Sequence, residues 1–516
     1  GCTSPRRRTT QEIKDAAKGF KTVTSCADGW HPRMFGHLSD KLLEVWANLL
    51  VLTEAGAGFP GREKVVLTRL IPKQSGPGLR PINVFRSIPR LYSKLISTEA
   101  RAWQATNLGA SHNNRAGRNV GDACWRTQMK VSAHEKAAGH RLVAEIHTDL
   151  QKAFDTVGRH RLLDRAKEED YPMACLGAAI QSYSWVRRLA IGNQVSEEVW
   201  PKLGIAAGSS TAVGELALLL NKAITRFSEA MPGSIIYVHV DDISTTIFAD
   251  SLEEMEGKAA AVAHMYIEEL VIKNGLSLAQ DKTFVISPSK EVASLVARTA
   301  GQLGATIAST VRKLGQDYEL GRQSFASKGS KGKRKVLKNR GKAARSKVRF
   351  LKRYASRANT SRCFQAGIMA SSTYGMEAVM IDWSEVSYLH QQAIATHPVG
   401  VHCKAVPLVI KNLILRPEKD PVFAALQAPI CRWAREIHLR TSRAASRRGQ
   451  EDLLTLEELH AIGDLIMEAQ ADKNPGRLWG PSEALYWALE RAGMVMTDYH
   501  SFQFSESGEE ADCFLG

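Results

Sequence analysis

Hydrophobic and polar positions divide the chain into three stretches. From residue 25 to about residue 320, short β-rich runs alternate with segments of helical periodicity, which predicts a mixed α and β body. From about residue 385 to residue 516 the periodicity is helical. We expect residues 1–24 to form a poorly ordered leader. The pattern thus predicts an α+β body followed by a helical C-terminal region.

Capping signals mark helices in the C-terminal region. Asp420 precedes a proline, a combination typical of a helix N-cap and first turn. Thr455 and Glu458 have the spacing of a capping box. A further helical run covers Glu483–Arg491 and is followed by Gly493, a typical residue just beyond a helix end. Each signal predicts a separate helix.

Two β-rich runs carry carboxylates where a strand ends. RLVAEIHTDL at 141–150 ends near Asp149, and SIIYVHVDDISTTIFA at 234–249 has Asp241 and Asp242 between two strand-like halves. A carboxylate held at a strand end is well placed to coordinate a metal ion, although Asp is also common at helix caps and in turns. Two adjacent ionised carboxylates repel each other unless a cation bridges them. Together the three acids predict a site for two metal ions.

The charge of the chain favours a nucleic-acid partner. It has 516 residues and a net charge of +16, from 69 basic and 53 acidic residues. Between Lys328 and Arg353 there are 13 Lys and Arg and no Asp or Glu. Such a run attracts a phosphate backbone, although it is also typical of a solvated linker. We expect backbone contacts from Lys331, Lys333, Arg334 and Lys335.

The remaining composition argues against a membrane-spanning or disulfide-rich protein. No stretch of about 18 apolar residues occurs, so we expect no membrane span. The eight cysteines lack zinc-ribbon or redox spacing, which favours free thiols in a reducing compartment, the nucleus or the cytoplasm. The sequence begins at Gly1 and not at Met, so we expect it to be a fragment, and no signal peptide is visible in it.

Several segments, in order, resemble the reverse transcriptases of non-LTR (LINE-type) retrotransposons. The best match is DLQKAFDTV at 149–157. LIPKQSGPGLRPINVFRSIPRLYSKLIS at 70–97 is similar to the family's fingers hairpin, and VRKLGQDYELG at 311–321 to its primer grip. SSTYGMEAVM at 371–380 is similar to its thumb. The resemblance extends from about residue 25 to about residue 385.

The resemblance implies a right-hand polymerase. This is an α+β fold with fingers, a palm with an antiparallel sheet and a helical thumb, here with a helical C-terminal extension. The fingers and palm would occupy residues 25–320, and the basic segment and thumb residues 321–385. Residues 386–516 would form the helical C-terminal region, to which the sequence assigns no function.

By the same resemblance, the chain is an RNA-directed DNA polymerase. It would add deoxynucleotides from dNTPs to the 3′-hydroxyl of a DNA primer or target on an RNA template. Asp149, Asp241 and Asp242 would hold two Mg²⁺ ions, or Mn²⁺. Lys282 lies in a segment similar to the family's next motif, and is a candidate proton donor to the pyrophosphate or an ordinary surface lysine.

The resemblance also assigns substrate-binding roles. Lys73 and Arg80 match the basic residues that meet the triphosphate. Phe154 matches the ring that excludes a 2′-hydroxyl, although ordinary core packing would also explain it. Gly204 and Gly208 match a loop that lets a base pair approach closely. The residues that match contacts with the primer or template are His239, Leu314 and Gly315.

Two positions depart from the family pattern. Ala207 stands where Gln is usual, and His239 stands at a position that is usually another aromatic residue. These departures keep open a second hypothesis, a decayed copy that binds nucleic acid without catalysis. A third hypothesis, a reverse transcriptase of the group II intron maturase type, agrees less well with the thumb segment and with TSCADGWHPRMF at 24–35.

Overall fold

The computed structural model describes most of the chain. The described residues are 5–73, 78–115, 118–138, 142–321, 335–354, 357–379, 381–396, 420–442 and 452–512. The basic run before residue 335 lies outside them, including Lys331, Lys333 and Arg334.

Strands occur in the body and again near the end of the chain. They are β1 (Val65–Pro72), β2 (Leu79–Val84), β3 (Leu142–Asp149), β4 (Val186–Ile191), β5 (Gln194–Val199), β6 (Ile235–His239), β7 (Asp242–Ala249), β8 (Phe284–Ile286), β9 (Thr306–Ile307), β10 (Val311–Lys313), β11 (Gln316–Tyr318), β12 (Met494–Asp498), β13 (Ser501–Phe504) and β14 (Glu510–Asp512).

Helices precede, separate and follow these strands. They are α1 (Thr10–Lys18), α2 (Asp40–Leu52), α3 (Ser87–Asn107), α4 (Val120–Ala138), α5 (Ala153–Thr156), α6 (Arg159–Glu168), α7 (Met173–Tyr183), α8 (Ala212–Ala230), α9 (Leu252–Met265), α10 (Lys290–Thr299), α11 (Lys335–Tyr354), α12 (Arg357–Cys363), α13 (Ala370–Thr373), α14 (Trp383–Ala395), α15 (Pro421–Thr441), α16 (Leu456–Ala471) and α17 (Gly480–Ala492).

A five-stranded sheet occupies the middle of the body. Its order is β6-β7-β3-β8-β9, and its neighbours are antiparallel except for β8 and β9. Strand β3 pairs on both edges, and all of its residues after Leu142 are buried. Ile146 of β3, Ile243 of β7 and Leu218 of α8 are fully buried in one large core. This packing makes the end of β3 a rigid position.

Smaller sheets complete the body. One has the order β2-β1-β4-β5, in which β1 and β2 form an antiparallel hairpin and β4 runs parallel to β1. Strands β10 and β11 form a separate hairpin. These hairpins are the two segments that resemble the family's fingers hairpin and primer grip.

The C-terminal region packs on the body through helix α4. Trp125 and Met129 of α4 share a core with Trp433, Ile437 and further residues of α15–α17. Because α4 directly precedes β3 in the chain, the C-terminal region supports the helix that leads into the central sheet.

The predicted fold class is confirmed: the body is an α+β fold whose sheets are mainly antiparallel. Two predicted helix starts are also confirmed. Asp420 caps α15, and Thr455 and Glu458 form a reciprocal capping box on α16. Strands β12–β14 form an antiparallel sheet in the region that the sequence predicts to be helical. No described helix combines the length and the apolar composition needed to cross a membrane.

The leader prediction needs correction. Within residues 1–24, helix α1 forms with a capping box between Thr9 and Glu12. Its Ile13 and Ala17 are fully buried in the main core. Arg8 is also buried, against Glu54 and Glu99. Ala16 and Phe20 pack against the same core, so the apolar residues recur at a helical spacing that the sequence analysis overlooked.

Candidate active site

Three carboxylates meet where β3 ends. In the antiparallel register of β3 and β7, Asp149 lies opposite Asp242. Asp241 occupies the two-residue turn between β6 and β7, and its carbonyl oxygen accepts a hydrogen bond from Leu150 N at 3.1 Å. We call Asp149, Asp241 and Asp242 the carboxylate cluster. The structure thus brings together residues that are about 90 positions apart in the sequence.

The turn that carries Asp241 is strained. Val240 has φ = +63°, a conformation that β-branched residues seldom adopt. Strain of this kind costs about 1–3 kcal/mol and persists only where the surrounding structure imposes it. Here the surrounding strands β6 and β7 pair up to His239 and Asp242, so the turn has only two residues in which to reverse direction.

Burial and mutual repulsion both disfavour ionisation of the carboxylate cluster. Burial, and then the charges of Asp241 and Asp149, raise the pKa of Asp242 to about 7. Burial and the charge of Asp149 also raise the pKa of Asp241. A divalent cation between the carboxylates would remove this repulsion, and oxygen donors are what Mg²⁺ prefers. The donor set therefore fits a divalent ion.

Lys282 supplies a positive charge beside the cluster. Its ammonium group forms an ion pair with Oδ2 of Asp149, and this hydrogen bond raises the pKa of Lys282. Among the described residues, no three His, Cys, Asp or Glu side chains form a ready-made metal-binding group. Protein Mg²⁺ sites commonly use one or two carboxylates and complete their ligands with water and substrate phosphates.

The β1–β2 hairpin brings a second positive charge to the cluster. Arg80 is an exposed residue of β2, and its charge partly offsets the rise in the pKa of Asp241. Lys73 is exposed just beyond β1, where its backbone N–H donates to Gly78 O at 3.1 Å. The structure therefore links Arg80 electrostatically to the carboxylate cluster, and it leaves the Lys73 side chain at the surface of the hairpin.

Phe154 lies on the short helix α5, which begins four residues after Asp149 in the chain. Its ring is half-buried and packs against the main core. Its carbonyl oxygen accepts a hydrogen bond from Ile205 N at 2.8 Å. One side of the ring is therefore core, and the partial exposure leaves a surface that a sugar could contact.

Contacts within the chain explain why positions 204 and 208 of the following loop are glycine. Gly204 has φ = +86°, and a Cβ there would stand 2.7 Å from the carbonyl oxygen of Phe154. Gly208 has φ = +115°, and a Cβ there would collide with the carbonyl oxygen of Asn83 in β2. Ala207 O accepts from Asn83 N at 3.0 Å. The close approach that requires glycine within the chain is between segments of this backbone, and the approach of a base pair stays a prediction.

His239 ends β6 and lies opposite Asp242 in the register. Its ring is half-buried, and Nδ1 has no hydrogen-bond partner in the protein. Burial lowers the pKa of His239 below its ordinary value, so the ring is neutral at pH 7. The structure thus brings a neutral aromatic ring next to the carboxylate cluster.

Leu314 and Gly315 form the turn of the β10–β11 hairpin. Both have positive φ, as a two-residue turn of type I′ requires. The carbonyl oxygen of Leu314 accepts a hydrogen bond from the Tyr374 hydroxyl at 3.2 Å, and that of Gly315 accepts from Arg340 Nη2 at 2.6 Å. The turn is therefore fixed by helix α11 and by the segment that resembles the family's thumb.

The basic run is not uniform where it is described. Lys335 begins α11, and within this helix Arg340 holds the hairpin turn. Arg345 pairs with Glu385 at 2.7 Å. Lys342 and Lys347 are exposed. Part of this positive charge therefore serves the fold, and part faces solvent.

Sequence analysis missed a polar stripe beneath the cluster. Glu145 and His147 precede Asp149 at intervals of two on β3, so the three side chains share one face. Both are buried, and Glu145 forms an ion pair with the buried Lys313 of β10 at 2.6 Å. The signal was present in the sequence, because a buried strand seldom carries polar residues at alternate positions.

Comparison with protein families identifies a reverse transcriptase (RNA-dependent DNA polymerase) domain at residues 71–317. The matched segment begins in β1, ends in β11 and contains the whole carboxylate cluster. It covers just under half of the chain. This domain is that of an RNA-directed DNA polymerase, a nucleotidyltransferase that copies a nucleic-acid template and generally uses divalent metal ions. The predicted enzyme class is thereby confirmed.

Solved structures similar to the chain include telomerases from two Candida species. Apo telomerase from Candida tropicalis, truncated from the C-terminal domain, is 13% identical over 51% of this chain and 54% of that chain, with a TM-score of 0.35. Telomerase from Candida albicans with a TWJ fragment of telomeric RNA is 8% identical over 80% and 71%, with a TM-score of 0.35. The Candida tropicalis complex with such a fragment is 12% identical over 86% and 68%, with a TM-score of 0.38. The chain thus spans about half of the first of these proteins, and no curated protein matches it.

Proposed function

Given the reverse transcriptase domain at residues 71–317, we propose that the chain is the polymerase of a non-LTR (LINE-type) retrotransposon. It extends a DNA primer or target with dNTPs on an RNA template. The observation that carries the catalytic proposal is the pairing of Asp149 with Asp242 across β3 and β7, with Asp241 in the adjoining turn. The LINE-type assignment is supported by the order of the segments that resemble that family.

In this proposal the carboxylate cluster holds two divalent ions, Mg²⁺ or Mn²⁺. When bound, the ions lower the pKa of the primer 3′-hydroxyl and neutralise charge on the leaving pyrophosphate. Lys282 exchanges its ion pair with Asp149 for the pyrophosphate and protonates it. Lys73 and Arg80 bind the triphosphate, so that the hairpin β1–β2 closes over the nucleotide.

Substrate selection falls to residues around the cluster. The exposed part of the Phe154 ring lies under the sugar and excludes a 2′-hydroxyl. His239 packs beside the primer end as a neutral ring, and the turn at Leu314 and Gly315 supports the primer strand. Gly204 and Gly208 keep their loop close to α5 and β2. In this position the loop supports the bound nucleotide.

We infer that residues 25–320 act as fingers and palm, and residues 321–385 as a basic segment and thumb. The exposed lysines of α11 contact the nucleic-acid backbone. The described part of residues 386–516 supports α4 through the shared core. A nuclear or cytoplasmic location agrees with the cysteines that the structure describes, which are free thiols: Cys26, Cys124, Cys175, Cys363 and Cys431.

The test is extension of a DNA primer on RNA, with Mg²⁺ or Mn²⁺, by wild type and by Asp241→Ala. We expect extension by wild type only. A rival function, nucleic-acid binding without catalysis, is favoured by Ala207 and His239. It predicts that both proteins are folded and equally inactive. Under the polymerase proposal, Ala207→Gln raises the rate if the departure merely weakens positioning of the template.

A further inference from the structure

The hairpin β10–β11 carries a buried lysine at the end of β10. Lys313 is 3% exposed, and its Nζ lies 2.6 Å from Oε1 of Glu145 and 2.9 Å from Oγ of Ser244. Glu145 belongs to β3 and Ser244 to β7, the strands on which Asp149 and Asp242 also lie. One side chain of the hairpin therefore contacts both carboxylate-bearing strands.

These contacts share a face of the sheet with the carboxylates. Alternate residues of a strand point to the same face, so every second register pair belongs to one stripe. Along β3 and β7 the stripe consists of Asp149 with Asp242, His147 with Ser244, and Glu145 with Thr246. The carboxylate cluster is at one end of this stripe, and the Glu145–Lys313 ion pair is at the other.

Both oxygens of Glu145 are bound, and its side chain is fully buried. Besides Lys313, it accepts hydrogen bonds from the hydroxyls of Tyr318 on β11 and Thr246 on β7. Both strands of the hairpin therefore bind this one carboxylate. Burying two charges costs several kcal/mol each, and well-packed apolar residues are often equally stable. Stability alone thus gives little reason for an ion pair here.

The other end of the hairpin is also fixed. Arg340 donates to the carbonyl oxygens of Gly315 and Tyr374, and the Tyr374 hydroxyl donates to that of Leu314. The turn is consequently held between the central sheet and helix α11. Movement of the turn relative to the carboxylate cluster requires one of these two sets of contacts to break.

We propose that Lys313 and Glu145 are positioning residues for primer extension, and that their ion pair fixes the hairpin turn relative to the carboxylate cluster. The role rests on the proposed function, in which this turn contacts the primer. A displacement of about 1 Å from the productive geometry can cost about 10²-fold in rate. Neither residue touches the reacting atoms.

The test uses three variants of this ion pair: Lys313→Met, Glu145→Gln and the double variant that combines these two changes. They are compared with a fourth variant, Glu436→Gln. The last is a matched control, because Glu436 pairs with Arg126 at 2.8 Å in a different buried ion pair, between α15 and α4. For each protein we would measure the unfolding temperature, kcat, and KM for primer–template. Fluorescence of 2-aminopurine at the primer 3′ end would report the position of the bound primer.

We expect Lys313→Met to lower the unfolding temperature, because it leaves Glu145 buried without its cation. It should also lower kcat/KM by about 10-fold to 100-fold. The double variant removes both charges, so its unfolding temperature should recover while kcat/KM and the fluorescence stay altered. Glu436→Gln should lower the unfolding temperature and change neither the KM for primer–template nor the fluorescence.

Recovery of extension together with the unfolding temperature in the double variant would overturn the positioning role. Fluorescence equal to that of wild type in all Lys313 and Glu145 variants would do the same. The fluorescence is read whether or not the primer is extended. An inactive wild type with altered fluorescence in these variants would therefore contradict the proposed polymerase activity while supporting the positioning role.

Discussion

Two clusters of charged side chains in this chain are built in opposite ways. The carboxylate cluster has three acids, and its nearby cations are the exposed Arg80 and Lys282, whose side chain is 59% exposed. The second cluster joins α4 to the C-terminal region, and we call it the α4 ion cluster. It consists of Arg118, Arg126 and Arg432 with Asp122, Glu436 and Asp452.

The α4 ion cluster is closed and balanced. Arg126 lies 2.8 Å from Glu436 and 2.5 Å from Asp452, and Arg432 lies 3.2 Å from Asp122. No side chain of the cluster is more than 9% exposed. Three positive charges thus face three negative charges inside the protein.

The carboxylate cluster is open and unbalanced. Burial, and then the charges of Asp241 and Asp149, raise the pKa of Asp242 to about 7, and the Asp242 side chain is 35% exposed. Balanced burial indicates a structural role, whereas repulsion held at a strained, accessible turn indicates a site for a cation. We therefore predict that breaking the α4 ion cluster lowers stability but leaves the chemistry intact. Breaking the carboxylate cluster should abolish the chemistry but leave the fold intact.

The largest effect should come from the carboxylate cluster. Asp149→Asn, Asp241→Asn and Asp242→Asn should each lower primer extension by about 10²–10³-fold or more, because each removes a charge that balances the ions. The fold should persist. Asp242→Asn should even be more stable than wild type at pH 8, since the destabilising ionisation of Asp242 develops as the pH rises toward its raised pKa. Near-wild-type extension by Asp149→Asn would show that the carboxylate cluster is not the catalytic site.

Glu436→Gln should have the opposite profile. It leaves Arg126 buried without its main partner, and removing one member of a buried ion pair costs about 3–5 kcal/mol. Denaturant unfolding should report this decrease in stability. At a temperature where the variant is folded, its metal requirement and its KM for dNTP should equal those of wild type. A changed metal requirement would show that the two clusters are coupled.

Phe154→Val sharpens the contrast between a residue that faces substrate and one that only fills the core. The variant should incorporate ribonucleotides at least tenfold more readily relative to deoxynucleotides, a change of about 1.4 kcal/mol. Phe227→Val is the matched control, because Phe227 is 2% exposed in the same core. It should lose stability and keep the discrimination ratio. Equal ratios in all three proteins would assign Phe154 to the core alone.

The smallest effect should separate two kinds of basic residue within α11. Replacing the exposed Lys342 and Lys347 by Gln should flatten the log–log salt dependence of duplex binding by about 0.9 for each phosphate that is no longer neutralised. Arg345→Gln is the control, since Arg345 is already paired with Glu385. Its effect on the slope should be smaller. Equal slopes in all variants would make α11 a structural helix with a solvated face.

The features that could be predicted from the sequence are those that depend on residues close together in the chain. The hairpin at Asp241 follows from two β-rich runs with a break between them, and α16 follows from its capping box. The pairing of Lys313 with Glu145 could not be predicted, because it depends on two segments 168 residues apart in the sequence. The contact of Gly208 with Asn83 of β2 could not be predicted for a similar reason.

The most direct test of the contrast between the clusters is the number of Mn²⁺ ions bound. Binding would be measured by the electron paramagnetic resonance of free Mn²⁺, with a dideoxy-terminated primer on RNA and the next dNTP. We predict two bound ions for wild type and for Glu436→Gln, and the loss of at least one for Asp241→Asn. Equal binding by wild type and Asp241→Asn would contradict the account.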